Sequence, residues 1–431
     1  MGIVNFLNSP QIVAKFQKIC GVEGLPDQMT ADETDVTPGY MGEEQYEKYV
    51  KVRDTENYVL HGRYKNNNSV KTNDLQKEGV PPFSSDDSDS ENGHSRGKLY
   101  KITPHKIRHK WVYFWFKFAS FFGDEEFYLT CLPFLLWNVD TYLMRQTVIV
   151  WSISMYIGSV MKDIFQWQRP ATPPVVRLDV DFAQEFSLPS THAVAASSIP
   201  FTMAIVIVDR YQVPAEVAFG VATVWCLMTC GSRLYLGVHS LLDVVCGCLI
   251  SLMVAMVILP FRIQIDWFIQ TSPASPIVLL ALCLAFSTIL YPAPEIGNNT
   301  RGDAVKIIAT TTGCLLGQWG NYFNGMTTTV APPEELFPIF MPTLKCVASA
   351  ILRFMIGVLT LVLVKTVVQT VTLKGVLAFF RLRKTDKHLP KVQVPYRFIT
   401  YMTLGIIISW TVPILHTKFG LGRSGIYMEV L

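Results

Sequence analysis

The chain has 431 residues, a formal charge of +3, 16% charged and 50% hydrophobic residues, and 26 Phe. The charged share falls well short of the quarter usual in soluble domains, and so small a positive balance, with no compact basic-aromatic patch, excludes a nucleic-acid partner. The apolar residues gather in runs of about 16 to 25, the length a helix needs to cross hydrocarbon, which predicts an all-α, polytopic membrane protein.

Residues 1–23 contain a short amphipathic helix from Pro10, with Ile12, Val13, Phe16 and Ile19 on one face and Lys15 and Lys18 opposite, expected to lie on a membrane or to dock. The first residues lack the continuous apolar core of a signal peptide, so insertion is expected to rely on internal spans. Residues 24–97 turn polar, and Pro82 to Gly93 is too rich in Ser and Asp to bury a core, so a disordered linker is expected. Ser84, Ser85, Ser88 and Ser90 stand beside acidic residues, as phosphorylated serines do, but a plain solvated linker is the stronger reading. Residues 98–124 set Lys98, Lys101, Lys106, Arg108 and Lys110 against Trp111-Val-Tyr-Phe-Trp-Phe, the cation and aromatic mixture of a membrane interface.

About nine spans then follow: Phe127–Val139, Tyr142–Ile164, Pro189–Val208, Pro214–Gly231, His239–Leu259, Pro276–Leu290, Ala304–Phe323, Val347–Thr370 and Phe398–Leu415. Residues 125–262 form the expected catalytic core and residues 263–431 the C-terminal membrane helices. The Thr and Gly content of Ala304–Phe323 suits a helix packed inside the bundle. Most cysteines lie in or beside apolar runs, and Cys246-x-Cys248 has no second pair at metal-site spacing, so they are read as small hydrophobes.

Three polar clusters interrupt the apolar chain. Lys162 and Arg169 stand seven residues apart at the end of the second span, followed by Pro170. Pro189-Ser190-Thr191-His192 opens the third span, where a hydroxyl caps the helix and free amides favour an anion. Ser232 and Arg233 close the fourth span, and His239 opens the fifth with Asp243 four residues on, which on one helical face lets the carboxylate bond one ring nitrogen and free the other. Taken singly, snorkelling cations, a cap and an interfacial histidine explain the first two. Span counting places all three on one side of the membrane, together with both histidines of the membrane core. Cations, hydroxyls, histidines and an aspartate form the inventory for a phosphoryl group. No carboxylate cluster of the kind that holds magnesium is present, so no metal and no cofactor are expected, and charge neutralisation falls to Lys162, Arg169 and Arg233.

Lys-x6-Arg-Pro, Pro-Ser-x-His and Ser-Arg-x5-His-x3-Asp resemble the three signatures of the type 2 phosphatidic acid phosphatase superfamily, which implies its haloperoxidase-like helical core. The resemblance implies that His239 is the nucleophile and forms a phosphohistidine, that Asp243 orients it, and that His192 is the general acid. It implies that Lys162, Arg169, Ser190 and Arg233 bind phosphate. Thr191 stands where most members carry glycine, so its backbone amide is the ligand implied there, with its hydroxyl as the alternative.

The same departure occurs in sphingosine-1-phosphate phosphatases, which the chain also resembles in Arg169-Pro-Ala-Thr-Pro-Pro-Val-Val176, in Pro189-Ser-Thr-His-Ala193 and in Gln11 to Glu23. That implies metal-independent dephosphorylation of sphingosine-1-phosphate and related sphingoid base phosphates in the endoplasmic reticulum membrane. A broad lipid phosphate phosphatase, a lipid phosphotransferase, and a non-catalytic transporter or scaffold are the alternatives. Sidedness signals conflict. Lys374, Arg381, Arg383, Lys384 and Lys387 place the site in the cytosol by charge counting, whereas the resemblance and an Asn298-Asn-Thr300 glycosylation sequon place it in the lumen.

Overall fold

The computed structural model describes residues 2–24, 58–60, 99–101, 105–179, 185–292, 300–327, 336–339, 341–383 and 389–423. The chain divides into two compact units, residues 24–106 and the remainder. Within the first, strands Tyr58–Leu60 and Leu99–Lys101 pair antiparallel with Tyr58 opposite Lys101. The Ser/Asp-rich stretch 82–93 with its four serines, Asn298, Lys384 and Lys387 lie outside the described residues.

The larger unit is an all-α bundle. Short helices α1 (Gly2–Leu7) and α2 (Pro10–Ile19) precede α3 (Lys110–Phe121) and α4 (Glu125–Asn138). The core follows as α5 (Thr141–Phe165), α6 (Thr191–Arg210), α7 (Ala215–Tyr235) and α8 (Leu241–Ile258). Then come α9 (Arg262–Thr271), α10 (Ser275–Leu284), α11 (Thr300–Phe323), α12 (Leu344–Phe379), α13 (Pro390–Ile406) and α14 (Val412–Lys418).

Among the described residues, six stretches are long and apolar enough to cross a membrane: Thr141–Phe165, Thr191–Arg210, Ala215–Tyr235, Leu241–Thr271, Leu344–Phe379 and Pro390–Lys418. The expected count of nine is therefore not confirmed, and the reason lies in three elements. Helix α4 has 14 residues and begins Glu125-Glu126, α10 has 10 residues, and α11 carries Arg301, Asp303 and Lys306 in its first turns. Helix α11 is nonetheless largely buried, as its Thr and Gly content predicts, and Gly313 and Gly405 let α11 and α13 approach until a Cβ at Gly313 would collide with the Met402 carbonyl.

The membrane helices are fixed by caps. The Asp140 carboxylate accepts from the Leu143 amide at 2.9 Å to start α5, and Ser240 and Asp243 form a reciprocal capping box at the start of α8. Helix α3 turns Phe116 onto Tyr235 of α7, ring centroids 4.6 Å apart, while Trp111, Phe114, Trp115 and Phe118 remain exposed. Helix α3 thus has one aromatic face turned to the bundle and one turned outward.

The bundle core centres on Tyr128, Leu136, Trp137, Trp151 and Ile199. At the end where α5 begins, burial of charge is resolved by pairing. Arg145 donates to both Asp266 oxygens at 2.7 and 2.9 Å, and the Gln146 and Gln270 amides donate to the same carboxylate. Arg210 and Tyr211 both donate to Asp140, and Arg210 also lies over the Tyr142 ring. His416 is buried here as well, its Nε2–H donating to the Arg353 carbonyl at 2.9 Å. The expectation that both core histidines collect on one side thus overlooked a third, because the last helix extends beyond Leu415.

Three thiols converge between α7 and α8: Cys230 Sγ lies 3.9 Å from Cys226 and 3.8 Å from Cys248. They pack beside Ala193, Val244 and Leu234, and Cys248 rather than Cys246 faces the cluster, a grouping of three thiols that the sequence reading did not foresee.

Removing one partner of the Arg145–Asp266 pair strands a charge, which typically costs about 3–5 kcal/mol. Asp266→Ala should therefore abolish accumulation of folded protein or lower its thermal midpoint in detergent by many degrees; an unchanged midpoint would show the pair to be structurally idle.

Candidate active site

At the opposite end meet the C-termini of α5 and α7 and the N-termini of α4, α6 and α8. Lys162 sits in the last turn of α5, which is closed by Gln166 in the left-handed region at φ 48°. The chain leaves through Arg169 and a loop that returns to Pro189. This loop is gripped by the N-terminal segment: the buried Gln17 amide donates to the Val176 and Tyr235 carbonyls at 2.6 and 2.9 Å and accepts from the Val176 amide at 3.0 Å. Helix α2 therefore docks at the site's own end of the bundle. Gly237 adopts φ +69°, and a Cβ there would strike the Val176 carbonyl oxygen, so glycine is required in the turn that delivers His239.

His239 precedes the Ser240 cap and is not on α8 itself, which corrects the expectation of a shared helical face. Its Nδ1 is 3.6 Å from Asp243 Oδ2, too far for a hydrogen bond. Ser187 closes the gap, with its Oγ 3.3 Å from Nδ1 and donating to Asp243 Oδ2 at 2.6 Å. The Ser240 amide also donates to Oδ2 at 2.6 Å, so one carboxylate caps the helix and anchors the serine. Because Ser187 gives its proton to Asp243, it accepts from Nδ1–H, which leaves Nε2 as the ring nitrogen with the lone pair. Arg169 points a guanidinium N–H at that Nε2 from 3.4 Å, while also donating to the Val238 carbonyl at 2.7 Å and the Glu185 carbonyl at 2.9 Å. Burial, then the charges of Arg169, Arg233 and Lys162, hold His239 well below its ordinary value, so the ring is neutral.

The cations already have an anion among them. Lys162, 1% exposed, donates to Glu185 Oε2 at 2.9 Å. The charge of Lys162, opposed by burial and assisted by Arg169, drives the Glu185 carboxyl down to about 2. Burial lowers Arg169 to about 10 against the pull of Glu185, and it stays charged at neutral pH. Arg233 is fully buried at the end of α7 and donates to Ser120 Oγ of α3 at 2.7 Å.

Ser190 caps α6 through its Oγ, accepting from the Ala193 amide at 3.4 Å, and its own amide donates to the Asp243 carbonyl at 3.0 Å. Thr191 opens the helix, partly buried. Ser232 bonds back to the Thr229 carbonyl at 2.6 Å, in keeping with having no assigned role. His192 Nε2 lies 2.7 Å from Asp124 Oδ1 at the head of α4. Burial raises the Asp124 carboxyl, but its bond to His192 and the charges of His192, Arg233 and Lys117 outweigh that and leave it below the usual range. Gly123 permits this approach, since a Cβ there would lie 2.8 Å from the His192 ring.

The structure thus brings together Lys162, Arg169, Ser190, Thr191, His192, Arg233, His239 and Asp243. It adds four residues that the sequence reading missed: Glu185, Ser187, Ser120 and Asp124. Ser187 precedes Pro189 by two residues, and Asp124 stands in a Gly-Asp break between two aromatic helices, but nothing in their spacing marks them.

The PAP2 superfamily matches residues 145–267, which include every motif residue of this cluster. The chain is 31% identical to "Sphingosine-1-phosphate phosphatase 2" of Homo sapiens, over 97% of this chain and 99% of the relative. It is 31% identical to "Sphingosine-1-phosphate phosphatase 1" of Rattus norvegicus, over 96% and 97%. "Lipid phosphate phosphatase delta" of Arabidopsis thaliana is 28% identical over 56% of this chain and 58% of its own. No solved structure matches the chain significantly. With similarity to the human and rat proteins running nearly end to end, and the superfamily match falling on the helices that carry Lys162 to Asp243, the chain belongs to the sphingosine-1-phosphate phosphatase family of the PAP2 superfamily.

Proposed function

We propose that this membrane enzyme dephosphorylates sphingosine-1-phosphate and related sphingoid base phosphates through a phosphohistidine on His239, without a metal. The observation that carries the reading is the relay Asp243–Ser187–His239, which fixes the Nδ1 proton and turns a neutral Nε2 toward Arg169. Dephosphorylation of lipid phosphates is the activity named for its relatives.

The steps follow from the groups present. The substrate phosphate takes the place of the Glu185 carboxylate among Lys162, Arg169 and Arg233, with amides at the α6 N-terminus behind it. Nε2 attacks phosphorus, the phosphorus–oxygen ester bond breaks, and the leaving alkoxide takes a proton from His192. His192, now the base, removes a proton from water, which attacks the phosphohistidine; inorganic phosphate departs and Nε2 regains its lone pair. Asp124 holds the His192 ring where the leaving oxygen must arise. A sphingoid base bears an ammonium on the carbon next to the one joined to that oxygen, so an ionised carboxylate at Asp124 suits it better than the glycerol esters of phosphatidate. We assign the site to the lumenal face of the endoplasmic reticulum on the family resemblance, against the basic loop that includes Lys374, Arg381 and Arg383.

Purified enzyme with EDTA should hydrolyse sphingosine-1-phosphate in preference to phosphatidate and lysophosphatidate, and preference for phosphatidate would sink the substrate assignment. His239→Ala should lose all turnover and all acid-labile labelling by radioactive phosphate substrate. Because the reactive His239 is neutral and its value is depressed, kcat/KM should stay flat as pH falls through 6.5 and decline only below it; a decline centred at 6.5 or higher contradicts the burial. Glu185→Gln removes the resident anion, so inorganic phosphate should inhibit this variant at several-fold lower concentration than the parent, as read from competitive inhibition constants.

A further inference from the structure

The thiols between α7 and α8 are brought together by the hairpin that the two helices form. Cys226 and Cys230 stand four residues apart on α7 and so share one face. Cys230 lies five residues before the end of that helix, and Cys248 seven residues after the start of α8. At 1.5 Å per residue both therefore stand about 8–10 Å below the turn that carries His239, where Cys248 meets the face that the other two present.

Three of the chain's nine cysteines thus converge, none of them in a disulfide, and their sulfurs all lie within 4.8 Å of one another. The buried Cys230 is central, with its Sγ 3.9 Å from that of Cys226 and 3.8 Å from that of Cys248. A cation about 2.3 Å from each of three thiolate sulfurs holds them about 3.8–4.0 Å apart, the range from tetrahedral to trigonal angles. Two edges of the triangle already have that length, so a cation enters with little movement of either helix.

The surroundings decide which cation fits. Ala193, Val244 and Leu234 pack beside the thiols, and among the described residues no fourth Cys, His, Asp or Glu joins them. Soft sulfur ligands select Cu(I) or Zn²⁺. Structural Zn²⁺ is closed by four protein ligands, whereas Cu(I) is satisfied by three thiolates in a plane. Arg233, three residues beyond Cys230 on α7, adds a positive charge one turn from the thiolates that such binding requires.

We propose that Cys226, Cys230 and Cys248 form a thiolate site for Cu(I), each sulfur losing its proton on binding and giving one lone pair to the metal. The ion clasps α7 to α8 beneath the catalytic residues, since Ala193 and Val244 in the same packing directly follow His192 and Asp243. This clasp is structural, stands apart from the phosphoryl chemistry, and does not depend on the dephosphorylation proposed above. Three reduced thiols packed as small hydrophobes are the competing reading.

The test uses full-length enzyme in detergent, reduced, stripped of metal and titrated with Cu(I) against a colorimetric Cu(I) chelator. One Cu(I) per chain should bind, with a thiolate-to-copper charge-transfer band in the ultraviolet, three sulfur neighbours by X-ray absorption, and a raised thermal midpoint. Cys226→Ser and Cys248→Ser each remove a sulfur at a partly exposed position and should weaken binding at least about a hundredfold, the upper end of what loss of a mere outer partner costs. Cys246→Ser and Cys346→Ser lie outside the cluster and should bind as the parent does. If the first two variants do not fold, the sulfur count in the parent still decides. No binding, fewer than three sulfur neighbours, or unaltered affinity in both cluster variants overturns the proposal and leaves packed thiols. Tighter binding of Zn²⁺ than of Cu(I), with a nitrogen or oxygen as fourth donor, overturns the assignment to copper.

Discussion

Three cations brought together near a membrane repel one another and lose hydration, so each must find acceptors before the substrate arrives. Lys162 takes the Glu185 carboxylate, Arg169 takes two backbone carbonyls, and Arg233 takes the Ser120 hydroxyl. Much of the architecture around the site follows from this demand. Helix α3 must lie against the end of α7 to supply Ser120, the loop after α5 must fold back to supply Glu185, and the turn before α8 must present the Val238 carbonyl. In the proposed reaction the Glu185 carboxylate is a place-holder with the charge sign of the group it would yield to, so that binding would be an exchange of anions and affinity a difference between two ionic contacts.

Asp243 shows how few groups serve several ends. One oxygen accepts the Ser240 amide and the Ser187 hydroxyl, so the residue that starts α8 also fixes the tautomer of His239. Separating the carboxylate from the histidine by a hydroxyl transmits orientation without a direct ion pair, and the ring stays neutral in a field of positive charge. The far end of the bundle has the opposite character. There Arg145 pairs with Asp266, and Arg210 with Asp140, and the pairs hold helix ends in register. His416 bonds a carbonyl and belongs to that structural end.

Much of this was legible in the sequence because membrane burial penalises ionisable residues, so those retained stand out against an apolar background. Lys162, Arg169, His192, Arg233, His239 and Asp243 were visible for that reason. Span positions were legible from apolar runs, but α4, α10 and α11 fell short because length and composition decide a crossing less sharply where helices shield one another. Ser187 and Asp124 stayed hidden because their partners lie more than 50 residues away, and Glu185 because its partner Lys162 lies 23 residues back across a loop, contacts that no local pattern records. The His239 to Asp243 spacing suggested the right partners but the wrong link, since a four-residue interval reads as one helical face whether or not the helix has begun.

Gln17 joins the first helices to Val176, in the loop between Arg169 and Asp179, by two hydrogen bonds and to the Tyr235 carbonyl at the end of α7 by a third. The N-terminal segment is therefore a fixed wall of the chamber and moves with it. On its outer side Ile3, Phe6 and Ile19 remain exposed, ready to rest on a membrane surface. A change in how that surface holds α1 and α2, through lipid composition or curvature, bears on Val176 and Tyr235 and through them on the turn that delivers His239. The position of His239 is thus tied, through Val176 and Tyr235, to the segment that carries this apolar surface.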